Sequence, residues 1–388
     1  MLRFLTAGES HGPGLTAILE GMPAGLPLAE EDINVQLRRR QQGFGSGGRM
    51  RIEKDNVRFS GGVVNGQTTG APIAMQIANR DWDNWRDKEI PPMTIPRPGH
   101  ADLTAALKYG YRELRLALER ASARETAARV AVGALCQRLL AEFAISVGSY
   151  VVQIGQACAD IPDDLPYPER FARAEESDVR CPDPVAAEAM HTRIREAMAA
   201  KDTLGGVFEV VALGLPLGLG SHVHWDRRLS GRLMAAVGSI QAIKGVEIGP
   251  AFENAARYGT QVHDEILVQE GHLSRRTNRA GGLEGGITTG QPVVIRAAMK
   301  PISTTLTPLG SVDLATGEET ATRYERSDIC AVPRAAVVGE AMVAFVLADA
   351  LLEKLGGDSL AEIRPRFADL RRGSLDELEM DNVRWYFQ

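Results

Sequence analysis

Cysteine is sparse: the 388-residue chain has four, Cys136, Cys158, Cys181 and Cys330, with no C-x-x-C pair among them. That spacing offers neither a zinc cluster nor a disulfide framework, so a reducing, cytoplasmic setting is expected. Long apolar runs free of charge are also missing. The most apolar helical stretch, Val337 to Leu352, contains Glu340 and Asp349, which argues against an uninterrupted membrane span. Met1 to Ala7 reaches the polar run Gly-Glu-Ser-His too soon for a signal-peptide core, so no export is expected. A positive balance is lacking too. With a formal net charge of −6, a general nucleic-acid binder is not expected, and any anion site must be local. Aromatic residues make up 5% of the chain while glycine contributes 40 residues, which favours tight turns and close backbone approaches over an aromatic-rich core.

What is present is a globular composition, 44% hydrophobic and 24% charged, with an internal echo. Gly61, Gly62, Gly66, Thr68, Thr69, Gly70 and Pro72 recur 220 residues later as Gly281, Gly282, Gly286, Thr288, Thr289, Gly290 and Pro292. Gly21, Pro23, Gly25 and Leu26 are similarly echoed by Gly214, Pro216, Gly218 and Leu219, followed by candidate helix caps at Asp32 and Asp226. Chance similarity of Gly/Pro turns is the alternative, but the echoes keep chain order. The halves would run from 1 to 145 and from 205 to 357, with a connecting insertion at 156–203 and a tail at 358–388.

Strands are predicted at Leu2 to Ala7, Ile73 to Ile77, Val207 to Ala212 and Val293 to Met299. Helices are predicted after a Ser122/Glu125 capping box, over Val185 to Ala200, from Asp226 to a stop at Gly245, and over Ala335 to Leu355. The expected class is α+β: one compact, internally duplicated β-α-β sandwich-type domain with helices outside.

Several motifs carry chemistry. Gly-Glu-Ser-His-Gly-Pro-Gly follows the first strand and places Ser10 and His11 in a loop, where His11 is a candidate proton donor or simply a loop histidine. Arg38, Arg39, Arg40, Arg49, Arg51, Lys54 and Arg58 surround a glycine-rich G-F-G-S-G-G stretch suited to phosphate and carboxylate groups. A solvated basic face is the plain alternative. Its order in the chain contradicts a Rossmann fingerprint. Arg-Pro-Gly-His-Ala-Asp puts His100 on a turn entering a helix, with Asp102 as a candidate cap. Ser122, between Arg120 and Arg124, can cap or meet a ligand. Lys300, Ser303 and Thr304 follow a glycine-rich turn that could cradle a phosphate or form a plain hairpin. His222 and His224 near Asp226 lack a further convincing ligand, so no metal is expected.

Taken together, G-E-S-H-G, R-R-R-x-x-G-x-G, R-P-G-H-A-D, R-A-S-A-R-E-T-A, Q-A-I-K-G-V-E, N-R-A-G-G-L-E-G-G, K-P-I-S-T and R-S-D-I-C-A-V-P resemble the chorismate synthases from Met1 to about Gly357. The resemblance implies a lyase that uses reduced flavin mononucleotide (FMN) to eliminate phosphate from 5-enolpyruvylshikimate 3-phosphate (EPSP), yielding chorismate. It implies that Arg120, Ala121, Ser122, Gln241, Ala242, Gly285, Lys300, Pro301, Ile302, Ser303, Thr304 and Arg326 surround FMN. Arg40, Arg49 and Arg124 would grip EPSP, and His11 would protonate the departing phosphate. His100 would stabilise the reduced flavin and Asp328 would sit near its N5, with Ser10 and Ser122 relaying protons. A homotetramer is implied.

Ser46 stands where many relatives carry Arg, at a position associated with nicotinamide contact. NADPH is therefore a candidate reductant only, and a separate flavin reductase a candidate partner. A nicotinamide-dependent flavin oxidoreductase and a nucleic-acid module are the rival classes. The first lacks its dinucleotide fingerprint, and the second lacks net positive charge and interleaved aromatics.

Overall fold

The computed structural model describes residues 1–47, 52–325 and 327–387. Two antiparallel sheets bound the fold. The first contains β1 (Arg3–Ala7), β2 (Gly14–Glu20), β3 (Val57–Gly61) and β4 (Ile73–Ala78) in the order β1-β2-β4-β3. The second contains β5 (Ser146–Ile154), β6 (Ala157–Cys158), β7 (Gly206–Leu213), β8 (Ile243–Ile248) and β9 (Val293–Met299) in the order β8-β9-β7-β5-β6. Period-two burial sets the inner face: Leu15, Ala17 and Leu19 on β2 and Ile73, Met75 and Ile77 on β4 are buried, as a one-sided strand requires.

The helices include α1 (Glu30–Gln41), α2 (Asp102–Tyr109), α3 (Arg115–Ala121), α4 (Thr126–Ala141), α5 (Tyr167–Glu176), α6 (Pro184–Ala199), α7 (Leu229–Gly238) and α8 (Val332–Leu355). The expected α+β class holds, but the expectation that helices lie outside the sheets does not describe the two longest core helices. α4 and α8 pack on each other at the centre, α4 facing β2 and β4, α8 facing β5 and β7. The reason is composition. α8 is apolar all round, with Ala336, Val343, Leu347 and Leu351 fully buried, and a helix without a polar face must be enclosed. It is long and apolar enough to cross a membrane, yet 89% of its most apolar window is buried within the fold.

Glu340, in the middle of α8, is 1% exposed and is compensated by Arg39 at 2.7 Å, Arg180 at 3.2 Å and the Ser149 hydroxyl at 2.5 Å. A buried charge needs such partners. The network ties α1, β5 and α8 together. Arg39 and Arg180 also hold Glu175: burial acts to raise its pKa, but their hydrogen bonds bring it down to about 2.

The echoed turns make matching hydrogen bonds. Thr68 Oγ1 donates to Pro23 O (2.6 Å) and accepts from Leu26 N (3.0 Å). Thr288 Oγ1 donates to Pro216 O (2.7 Å) and accepts from Leu219 N (2.8 Å).

Local readings of the helix ends need correction. α7 stops at Gly238, and Gly245 lies in β8 opposite Ala298, because pairing with β9 recruits the segment after Ala242. Asp226 does not cap α7; it sits in a short 3₁₀ turn and pairs with His224 at 2.6 Å. Asp32 is the third residue of α1 rather than its cap, reaching back to Ala29 N at 2.8 Å. Ser122 and Glu125 do not form a reciprocal box: Ser122 accepts from Arg124 N, while the Glu125 carboxylate turns to Thr6 and Arg129.

α4 and α8 meet at Gly133, where a Cβ would lie 2.3 Å from Ala341 Cα. Alanine has the better helix propensity by about 1 kcal/mol, so Gly133→Ala discriminates propensity from packing. The expected outcome is a loss of about 1–3 kcal/mol, read as a lower urea midpoint, because overpacking wins. A raised midpoint would contradict the close crossing.

Candidate active site

The Gly-Glu-Ser-His loop between β1 and β2 is fastened from three sides. Asn79, just after β4, donates its amide to the carbonyls of Glu9, Ser10 and Gly12 at 3.0, 3.3 and 2.8 Å. From α3, Glu119 O accepts from Ser10 N at 3.1 Å. Glu119 Oε2 accepts from His11 N at 2.7 Å and Oε1 meets His11 Nδ1 at 2.8 Å. Ser10 Oγ donates to Ser122 Oγ at 3.0 Å. Three of the expected residues, Ser10, His11 and Ser122, thus stand together although 112 positions separate the two serines. The His11 ring lies 4.3 Å from the Trp85 ring. Burial acts to raise the Glu119 pKa, but the side-chain and backbone bonds from His11 hold it below the usual carboxylate range.

Asn79 connects this loop to the arginines. Its Oδ1 accepts from Arg124 Nε at 2.8 Å, and Arg124 Nη1 reaches Asp55 at 2.6 Å. Arg40, at the end of α1, donates to Thr126 Oγ1 and Ala123 O, both at 2.9 Å, and pairs with Asp55 at 3.4 Å. Glu53 stands 3.8 Å from Arg124. Both guanidinium groups are buried, at 5% and 4% exposure, and each of their nitrogens faces a protein acceptor. Burial, aided by the Arg124 and Arg334 charges, pushes the Arg40 pKa down to about 10 against the pull of Asp55 and Asp328.

Asp328, just before α8, completes this region. Its Oδ1 accepts from Gly47 N at 2.7 Å and its Oδ2 lies 2.6 Å from Arg334 Nη2. A Cβ at Gly47 would sit 2.6 Å from Ser327 O, so glycine permits the loop to reach Asp328. Ser46 turns its hydroxyl to Gly43 O. Arg49 and Arg326 lie outside the described residues.

His100 belongs to a second cluster. Its Nδ1 meets Asp102 Oδ1 at 2.6 Å. Arg97 clasps the same carboxylate through Nε at 2.7 Å and Nη2 at 2.9 Å, and reaches Thr304 Oγ1 at 3.2 Å. Asp102 is therefore the hub of the turn rather than a helix cap: it is fully buried, which acts to raise its pKa, yet His100 and Arg97 hold it well below the carboxylate range. Lys300 donates to Gly99 O at 2.9 Å, bringing the Lys300 to Thr304 segment onto the same turn. Burial, and then the Lys244 charge, lower the Lys300 pKa. Thr203 Oγ1 anchors Ile302 O at 2.7 Å.

A third feature is a depression lined by Phe4, Thr6, Arg120, Glu125, Arg129 and Gln241. Gln241 Nε2 donates to Glu125 at 3.2 Å, while its Oε1 is buried with no partner among the described residues. Ala242 adopts φ 67°, a conformation costly for a side-chain-bearing residue, and its carbonyl accepts from Lys300 N. Gly285 lies apart, beside His222.

Glu119, Asn79, Asp55, Arg97 and Arg334 were not singled out from sequence. Arg97 stands inside the quoted R-P-G-H-A-D string and Arg334 soon after R-S-D-I-C-A-V-P, a signal that position beside a motif could have supplied. The lone carboxylates and Asn79 carry no local pattern.

Residues 2–352 match the family model described as chorismate synthase. The chorismate synthase of Aquifex aeolicus is 58% identical, with 95% of this chain and 97% of that protein covered. That of Desulforamulus reducens is 56% identical over 94% of this chain and 97% of its own. A crystal structure of chorismate synthase superposes with a TM-score of 0.79 at 50% identity, covering 95% of this chain and 96% of the other. The full-length sequence match and the shared fold agree, and the chain belongs to the chorismate synthase family.

Proposed function

We propose that this chain is the lyase that eliminates phosphate from EPSP to give chorismate, with reduced FMN as cofactor. The observation that carries this reading is the assembly of Ser10, His11 and Ser122 beside the buried arginine and carboxylate network that ends at Asp328. The cofactor finds chemically suitable partners. Gln241 Oε1 in the depression, without a partner among the described residues, suits a ring N–H, and Arg120 on the same wall suits an electron-rich flavin. Ala121, Ser122, Ala242, Gly285 and Lys300 to Thr304 are the further proposed contacts, with Arg326 carried on the resemblance alone.

Reduced flavin supplies electron density to a ring from which phosphate and an unactivated hydrogen must both depart, with no net redox change. The chain's part is positioning and proton transfer. His11 gives a proton to the leaving phosphate oxygen as the C–O bond breaks and its electron pair stays on oxygen. Ser10 and Ser122 extend the proton path. Arg40 and Arg124, with Arg49 on the resemblance, supply the fixed positive charge facing the polyanion, and their internal carboxylates hold that charge in place before substrate arrives. Asp328, oriented by Gly47 N and Arg334, faces the hydrogen-removal side. His100, backed by Asp102, stabilises the reduced cofactor. We also read the two halves, 1–145 and 205–357, as a duplication that places His11 in one half and Asp328 in the other, and the working unit as a cytoplasmic homotetramer.

Chemically reduced FMN, EPSP and the protein under anaerobic conditions should yield chorismate with the flavin still reduced at the end. Stoichiometric flavin oxidation would instead indicate an oxidoreductase.

The two halves should be separable by isotope effect. His11→Ala should slow elimination by roughly 10² to 10⁴ while FMN still binds. Asp328→Asn should show the larger deuterium effect at the lost ring position in single-turnover stopped flow. Identical isotope effects in the two variants would overturn the assignment.

Ser46 supplies no guanidinium for a nicotinamide phosphate, so NADPH oxidation by protein plus FMN should be slow, and a flavin reductase should be needed. Rapid NADPH consumption by the purified chain would contradict this.

A further inference from the structure

Glu119 has no place in the motifs that identify the family, yet among the described residues it holds the Ser10–His11 loop through both its main chain and its carboxylate. It stands on α3, two residues before the Ala121–Ser122 step. Its main chain holds Ser10 N, one carboxylate oxygen holds His11 N at 2.7 Å, and the other meets His11 Nδ1 at 2.8 Å. Both side chains are largely enclosed, at 17% and 13% exposure. Trp85 lies against the imidazole, its indole N–H donating to buried Asp81 at 3.1 Å. Arg115, on α3, and Lys88 stand over that indole at 5.6 and 5.8 Å.

We propose that Glu119 is the positioning residue for His11, fixing its ring and its tautomer so that Nε2 handles the proton. This rests on the reading of His11 as the proton donor. An ionised carboxylate can only accept hydrogen bonds. With Oε2 taken by the backbone N–H of His11, Oε1 requires a hydrogen on Nδ1. The ring therefore carries Nδ1–H, and it is Nε2 that takes up and delivers a proton, with the resulting imidazolium balanced by Glu119. The proton passes from Nε2 to the phosphate oxygen as the C–O bond breaks.

Glu119→Gln tests this because it keeps the shape and inverts one half of the clamp. The amide oxygen will take the His11 N–H, so the amide NH₂ must face Nδ1. Nδ1 then becomes an acceptor, the neutral ring switches to Nε2–H, and the imidazolium meets a donor instead of an acceptor. The expected result is a fall in kcat of about 10² with KM for EPSP unchanged, within the range for a misdirected general acid. Long-range ¹H–¹⁵N spectra of ¹⁵N-histidine-labelled protein, with His11 assigned by its loss in His11→Ala, should show Nδ1–H in the parent and Nε2–H in Glu119→Gln. In the His11→Ala background, Glu119→Gln should cost nothing further, because it acts through His11.

An unchanged tautomer, or a further loss in the double variant, would overturn the proposal while leaving His11 as donor. Parental turnover in His11→Ala would reject the donor reading and the proposal with it.

Discussion

The parallel packing of α4 against α8 is the constraint from which the site follows. Gly133 of one packs on Ala341 of the other about two turns into each helix. The two N-terminal ends also lie close together, because Arg40 bonds Thr126 at one and feels the charge of Arg334 at the other. Ser122 and Arg124 precede one helix and Asp328 precedes the other, while Arg40 at the end of α1 touches Thr126 and feels both Arg334 and Asp328. Helix N-termini carry partial positive charge, so the packing that closes the core also gathers that charge at one end. The sheets then wrap this pair, and their loops deliver His11 and Lys300.

Charge inside this end is arranged before any ligand binds. Arg40 and Arg124 share Asp55, Arg334 meets Asp328, Arg97 clasps Asp102, and His11 meets Glu119. Each arginine is held by a carboxylate that is itself buried or half-buried, which limits the cost of desolvation and fixes geometry. Ionisation of these carboxylates matters to both folding and chemistry. Asp102 and Glu119, depressed by their partners, remain charged as pH falls below the range where free carboxyls protonate. The stability each contributes is present above its unfolded pKa and is lost only as pH drops through the lower folded value.

Much of the outer architecture was legible from residues alone. Ile73 to Ile77, Val207 to Ala212 and Val293 to Met299 are strands within a residue or two at either end, because apolar runs bounded by turn residues have few other uses. The α7 end was misread because a glycine followed a helical pattern, yet Gly245 is a strand residue held by pairing that only the fold supplies. α8's central place had a signal, its lack of a polar face, that periodicity alone does not convert into a location. At the site, His11, Ser10, Ser122 and His100 stood in motifs. Glu119, Asn79 and Asp55 did not, since a single carboxylate or amide acquires meaning only from what the chain folds against it.

One preorganised end that takes an electron-rich flavin and a polyanionic substrate side by side, as proposed, couples the binding of the two. Anaerobic titration of reduced and of oxidised FMN, with and without EPSP, measures that coupling directly. EPSP is expected to tighten binding markedly, and reduced FMN to gain most. Equal affinity in all four combinations would contradict it.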